Sequence, residues 1–161
     1  MSTVVTAPDA LARLRQGNSR FVANVRSIDA LASSSRRIDP LVQQTPFAII
    51  LGCSDSRAPA ETVFDQGMGD LFVIRVAGNI VAPSQIGSVE FAAERYGTQL
   101  VVVMGHSHCG AIAATVEAMQ DSQQLKSHNQ LSITDRIAPV VAPLVHLEIA
   151  KDRAALLRLA T

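Results

Sequence analysis

No block of like charge stands anywhere in this chain. Its 14 basic and 14 acidic side chains cancel to a formal net charge of +0 at pH 7, and without a basic patch the electrostatic footprint of a nucleic-acid or membrane-surface binder is missing. The expected partner is a small molecule. No apolar run approaches the ~18 residues that span a bilayer, and the N-terminus, MSTVVTAPDALARL, lacks the basic-then-apolar order of a secretion signal. A cytoplasmic location is expected. Cysteine is scarce, with only Cys53 and Cys109. In a reducing compartment they are not expected to form a structural disulfide, which leaves core filling, redox chemistry or metal binding. Nothing repeats internally. What is present is a 161-residue chain, 48% hydrophobic, which can build one domain around a core without a staple.

Residues 8–26, PDALARLRQGNSRFVANVR, place Leu11, Leu14, Phe21, Val22 and Val25 near helical spacing, with Pro8 suited to a first turn and GNS as a weak point. Residues 27–46 are polar, Ser-rich and Pro-punctuated, and predict a long surface connection. Three short apolar runs follow, FAIIL (47–51), LFVIRV (71–76) and LVVVMG (100–105). They lack polar alternation and read as strands buried on both faces. Between the last two, SQIGSVEFAAERYG predicts a helix capped by Ser84, with Ile86, Val89, Ala93 and Tyr96 on one face and Gly97 closing it. After the third run GAIAATVEAMQ is helical, DSQQLKSHNQ is a loop, and the remainder is helix-like with breaks near Pro139 and Pro143. The expected fold is α/β, a mostly parallel central sheet flanked by helices. Residues 1–45 form an N-terminal helical arm and connector, and residues 46–161 form the α/β domain. The chain stops inside the helical pattern LEIAKDRAALLRLAT, so Thr161 is expected to be a truncation point.

Chemistry concentrates in two clusters, LGCSDSRAPA (51–60) and GHSHCG (105–110), each starting where a predicted strand ends. Open α/β sheets bind ligands at the carboxyl ends of their strands. If FAIIL and LVVVMG are neighbours, Cys53 and Cys109 meet. His106 and Cys109 are three apart, so one turn of backbone can direct both at a single ion, and Cys53 adds a third ligand. Two thiolates and an imidazole suit zinc and leave a fourth position for water.

CSDSR together with EFAAERYGTQLVVVMGHSHCGA resembles the paired signatures of the beta-class carbonic anhydrases, which hydrate carbon dioxide reversibly to bicarbonate and a proton. The resemblance implies one Zn²⁺ held by Cys53, His106 and Cys109, whose bound hydroxide attacks carbon dioxide, with Asp55 and Arg57 as a catalytic dyad beside it. The familiar zinc-water pKa of about 7 belongs to a carbonic anhydrase with three histidine ligands. Two thiolates neutralise more of the ion's charge, so water here gains from an acceptor, Asp55, that orients it. Asp55 can also take the fourth position itself, as closed forms in the family do. The guanidinium fork of Arg57 can hold it away. The resemblance also assigns substrate contacts to Gln44, Phe72 and Phe91, the last standing where the plant-type branch usually has tyrosine. Ala58 replaces a branched residue usual after the arginine. Gly110 opens a helix whose free N–H groups favour an anion such as bicarbonate. Gln44 and Cys53 lie at opposite ends of one strand, so a partner subunit is expected to supply Gln44 in a homodimer or a dimer-based assembly.

Blander readings compete at each position. A single cysteine is more often core than ligand. His108 contests the metal with His106 but is expected at the pocket edge or in solvent, and His128 and His146 at the surface. Asp55 with Arg57 is, in an arbitrary loop, an ion pair. Phe72 and Phe91 are by default core residues. GMGD (67–70) and AGN (77–79) read as turns. Rival functions are a thiol phosphatase, for which the Cys53–Arg57 spacing is too short, a silent scaffold with Asp55 closing a four-ligand zinc site, and a relative acting on a sulfur analogue of carbon dioxide. Relatives usually continue well past the point where this chain ends, so one sheet edge is expected to need cover from a helix or partner.

Overall fold

A computed structural model describes residues 4–28, 44–120 and 127–145, with 152, 154, 155 and 157. Most of the predicted connector, His146 and most of the C-terminal helical pattern lie outside the described residues. The chain divides into two compact units, one of residues 1–51, 56–74 and 82–103 and one of residues 52–55, 75–81 and 104–161.

The first unit begins with α1, Ala7–Val22, whose first turn holds a proline and whose Thr6 side chain accepts from the Asp9 N–H. The buried stripe is Ala10, Leu14 and Gly17, at i, i+4 and i+7. Phe21, Val22 and Val25 are exposed instead, and the helix stops at Val22 because Asn24 turns into the left-handed region at φ 55. GNS is no weak point. Gly17 lies so close to α2 (Ala60–Val63) and the residues after it that a Cβ there would stand 1.7 Å from the Phe64 carbonyl oxygen. Asn18 donates to the Val63 carbonyl at 3.2 Å. After α1, Arg20 and Arg26 converge on Asp65, whose side chain is 0% exposed, and the Ser27 N–H donates to it as well. Burial pushes the Asp65 carboxyl up, but Arg20 and the Ser27 N–H outweigh that and hold it below its ordinary 3.8.

Strands β1 (Ala48–Gly52), β2 (Leu71–Arg75) and β3 (Val101–Met104) form a sheet in the order β2-β1-β3. Pairing of Phe47 with Asp70 at one end of β1 and of Gly52 with Val76 at the other shows that β1 and β2 run the same way. β1, flanked on both sides, is buried throughout, as its unbroken apolar run requires. β3 departs from the expectation of burial on both faces: Val101 is 45% and Val103 60% exposed. It is an edge strand of the described sheet, and its pattern alternates. Helix α3, Pro83–Tyr96, starts on Pro83 without a side-chain cap, and Ser84 donates to Gln85 instead of capping. Its buried residue is Ala92, while Ile86 is exposed. Gly97 closes it at φ 67, as expected.

The second unit contains a 3-10 turn, Ala77–Asn79, helix α4, Gly110–Gln120, and helix α5, His128–Val145. Its core joins Cys53, Ile80, Cys109, Ile112, Val116, Ile137 and Val141, where burying each large aliphatic chain is worth about 1.5–3 kcal/mol. α5 runs unbroken through Pro139 and Pro143. Its buried positions are Thr134, Ile137 and Val141, and both prolines lie on the exposed side, where water can take the carbonyls they leave unpaired.

Candidate metal centre

The second unit carries the residues after β1 and those after β3. Cys53 and Cys109, both buried, bring their sulfurs to 3.9 Å. Two sulfurs bound to one tetrahedral zinc at about 2.3 Å stand about 3.8 Å apart, so the pair already has the spacing of a shared ion. His106 completes the group, with one ligand atom from each residue and all within 4.8 Å of one another. Its Nδ1 lies 3.0 Å from the Ser107 carbonyl. A carbonyl only accepts, so Nδ1 carries the hydrogen and the neutral ring's lone pair is at Nε2. Nε2 is buried and has no hydrogen-bond partner among the described residues. An orphaned buried acceptor facing two thiols is what a thiophilic cation would satisfy, and the donor set fits zinc.

The two thiols differ. Burial pushes Cys53 up, but His106, the backbone N–H groups of Asp55 and Gly78, and Cys109 together bring it from an ordinary 9.0 to about 7. Burial pushes Cys109 up, and the neighbouring Cys53 sulfur adds to that against N–H donors from Ile112 and Ala111. Asp55 sits beside the group with Oδ2 4.0 Å from His106 Nε2, and it lies outside the three residues that could hold a metal. Arg57 is exposed in the turn that follows. His108, also exposed, takes a left-handed φ of 58, and His128 is exposed. Gly110 is the first residue of α4, directly after Cys109.

Two residues that the sequence reading passed over hold this site. Arg75, at the end of β2, donates from Nε to the Cys53 carbonyl at 3.0 Å and from an Nη to the Asp55 carbonyl at 2.6 Å, fixing the loop that carries Cys53 and Asp55. A charged residue ending an apolar run was the available signal. Gly78, read as part of a plain turn, donates its N–H to Cys53 Sγ at 3.3 Å. Its φ of 69 is a conformation that side chains rarely adopt, and a Cβ there would stand 2.7 Å from an Ile137 methyl, so the position favours glycine.

The other candidate residues gather in the first unit. Phe72, Phe91 and Tyr96 form a ring cluster with centroids 6.0–6.2 Å apart. Gln44 donates to the Tyr96 hydroxyl at 2.6 Å. Tyr96 is the chain's one tyrosine, and its helical spacing alone places it only on a helix face. Gln44 and Tyr96 also border a cavity of about 320 Å³ with Arg13, Phe47 and Arg95. Gln44 precedes β1 and Cys53 follows it, with five strand residues between their ends at ~3.3 Å each.

The carbonic anhydrase family profile matches residues 48–159. Carbonic anhydrase 2 of Mycobacterium tuberculosis is 41% identical over 128 residues, covering 80% of this chain and 61% of that protein. Beta carbonic anhydrase 6, mitochondrial, of Arabidopsis thaliana is 35% identical over 120 residues, covering 71% and 38%. The solved structure of the beta-carbonic anhydrase CcaA superposes with a TM-score of 0.62 at 28% identity, covering 93% of this chain and 73% of that one. The chain thus spans about three-fifths of the length of the mycobacterial relative.

Proposed function

The chain belongs to the beta-class carbonic anhydrase family, and from that premise we propose that it hydrates carbon dioxide reversibly to bicarbonate and a proton, with one zinc ion held by Cys53, His106 and Cys109. The observation that carries this reading is the sulfur pair 3.9 Å apart with an unpartnered, buried His106 Nε2 beside it. When bound there, zinc supplies the Lewis acidity that lowers the pKa of water. The protein's own groups then orient and move the proton. Asp55 accepts the hydrogen bond of the reacting water and fixes its direction, and Arg57 holds the Asp55 carboxylate off the ligand set. Arg75 keeps the Cys53–Asp55 loop in place through the two carbonyls it binds. Gln44 contacts bicarbonate, and Phe72 and Phe91 give carbon dioxide an apolar surface, with Gly110 opening the helix beside the anion.

Because Gln44 and Cys53 are separated by the length of β1, these contacts serve a second copy's metal centre, so the working unit is a homodimer or dimer-based assembly. Residues 1–45 act as the arm that grips the neighbour, and 46–161 act as the zinc-binding domain. Among the described residues no helix is long and apolar enough to cross a membrane, and we place the protein in the cytoplasm. A second reading rests on the 4.0 Å separation of Asp55 Oδ2 and His106 Nε2: a small movement brings Asp55 into the ligand set and closes the site.

Metal analysis with stopped-flow hydration across pH separates these readings. About one zinc per chain, lost in Cys109→Ser, with activity rising toward alkaline pH, supports the enzyme. Bound zinc without activity at any pH supports the closed scaffold, and no zinc at all overturns both.

A further inference from the structure

The second unit has a cavity that the proposed reaction does not use. It lies between the 3-10 turn and α5 and measures about 340 Å³, within the range of small-molecule sites. Its walls are apolar, built from Ile80, Ile112, Ile137 and Val140, with two polar groups, Asn79 and Arg136. Among the described residues the Arg136 guanidinium donates one bond, to the Ser132 carbonyl. Most of its five N–H groups therefore remain available, and among the described residues it has no carboxylate partner. The Asn79 side-chain amide likewise has no hydrogen-bond partner among the described residues. It is held by backbone in a left-handed conformation, φ 40.

From this arrangement we infer that the cavity binds a small monocarboxylate with a compact apolar body. One guanidinium matches one negative charge and can take a carboxylate through two parallel bonds, with the Asn79 amide as a further donor. A phosphate or other dianion would leave its second charge against isoleucine side chains, at a desolvation cost that nothing here offsets. Acetate or bicarbonate would satisfy Arg136 but leave the Ile80, Ile112 and Ile137 surface wet. An apolar body of ring size removes that surface from water, and the hydrophobic gain scales with the area covered. The occupant also lies against Gly78, whose N–H donates to Cys53 Sγ.

Benzoate is the probe, titrated into the zinc-loaded protein with the isoleucine δ1-methyl groups observed by NMR. Expected are saturable shifts of the Ile80, Ile112 and Ile137 methyls, binding at least tenfold weaker in Arg136→Met, and similar weakening in Val140→Phe, which fills the mouth from a position 66% exposed and so leaves folding intact. Benzamide, of the same shape without charge, and acetate, with charge but no body, are each expected to bind at least tenfold more weakly than benzoate. Azide seeks the metal and is expected to leave benzoate in place. Equal binding of benzoate and benzamide, unchanged affinity in both variants, or displacement by azide, which would put benzoate on the metal instead, each overturn the assignment.

Discussion

Gly17→Ala and Gly87→Ala make the same chemical change in the interior of two helices and are expected to have opposite effects. In an unhindered helix the change stabilises by up to about 1 kcal/mol, because alanine loses less backbone freedom on folding. Gly87, in α3, has no atom within 4 Å of where its Cβ would be, so it should show that gain. At Gly17 the new methyl would sit 1.7 Å from the Phe64 carbonyl oxygen, 2.7 Å from its carbon and 2.8 Å from Gln66 Nε2. The two foremost atoms are backbone and cannot rotate away. Relief requires α1 to retreat from α2 by roughly 2 Å to regain van der Waals contact distance. That movement breaks the Asn18–Val63 hydrogen bond, worth about 1 kcal/mol, and loosens the packing of Ala10 and Leu14, for which overpacking strain of about 1–3 kcal/mol is the usual scale. After subtracting the propensity gain, a net loss of about 1–3 kcal/mol is expected, or roughly 2–12 °C in Tm for a chain of this size. Urea and thermal unfolding of both variants, at fixed zinc to hold metal linkage constant, check this. A Gly17→Ala protein as stable as the parent, or two variants shifted alike, would refute the close approach of α1 to Phe64.

Asp65→Asn removes a buried carboxylate that Arg20, Arg26 and the Ser27 N–H share, and urea unfolding at neutral pH should show a loss of about 2–4 kcal/mol. The folded-state pKa of Asp65 lies below its ordinary 3.8, so the unfolded state binds more protons. Its contribution is complete above that value and disappears as pH falls through the folded pKa. The parent should therefore lose stability below about pH 4 more steeply than the variant, and parallel curves would contradict the ion-pair assignment. Arg75→Met should retain zinc yet lose about tenfold to a hundredfold in hydration rate, with an altered pH–rate profile and partial rescue by lysine. Unchanged rate and profile would deny that Arg75 positions the Cys53–Asp55 loop. Tyr96→Phe removes the acceptor of the Gln44 amide and should cost about 1 kcal/mol in thermal unfolding.

The legible parts were those carried by local rules. FAIIL, an unbroken apolar run between turn residues, reads as an interior strand, and its adjacency to LVVVMG in the sheet brings Cys53 and Cys109 together. Gly97 was readable because helix C-caps favour a left-handed glycine. The misreadings share a cause in long-range packing. GNS looks like a helix defect until Phe64 is placed opposite Gly17. Pro139 and Pro143 look like breaks unless Ile137 and Val141 are known to anchor the opposite side of α5. LVVVMG reads as interior until its place at the end of the strand order is known. The Cys53, His106 and Cys109 group was visible because candidate metal ligands are recognised by side-chain type. Gly78 and the carbonyl-binding role of Arg75 were not, since both act through backbone atoms that no residue pattern announces.

The ring cluster of Phe72, Phe91 and Tyr96 contains an optical probe. The chain has no tryptophan and a single tyrosine, so near-ultraviolet emission comes almost entirely from one phenol, already bonded to Gln44. Quenching or recovery of that light therefore reports on the Gln44 side of the first unit alone, with no label attached and no second fluorophore to confuse the signal.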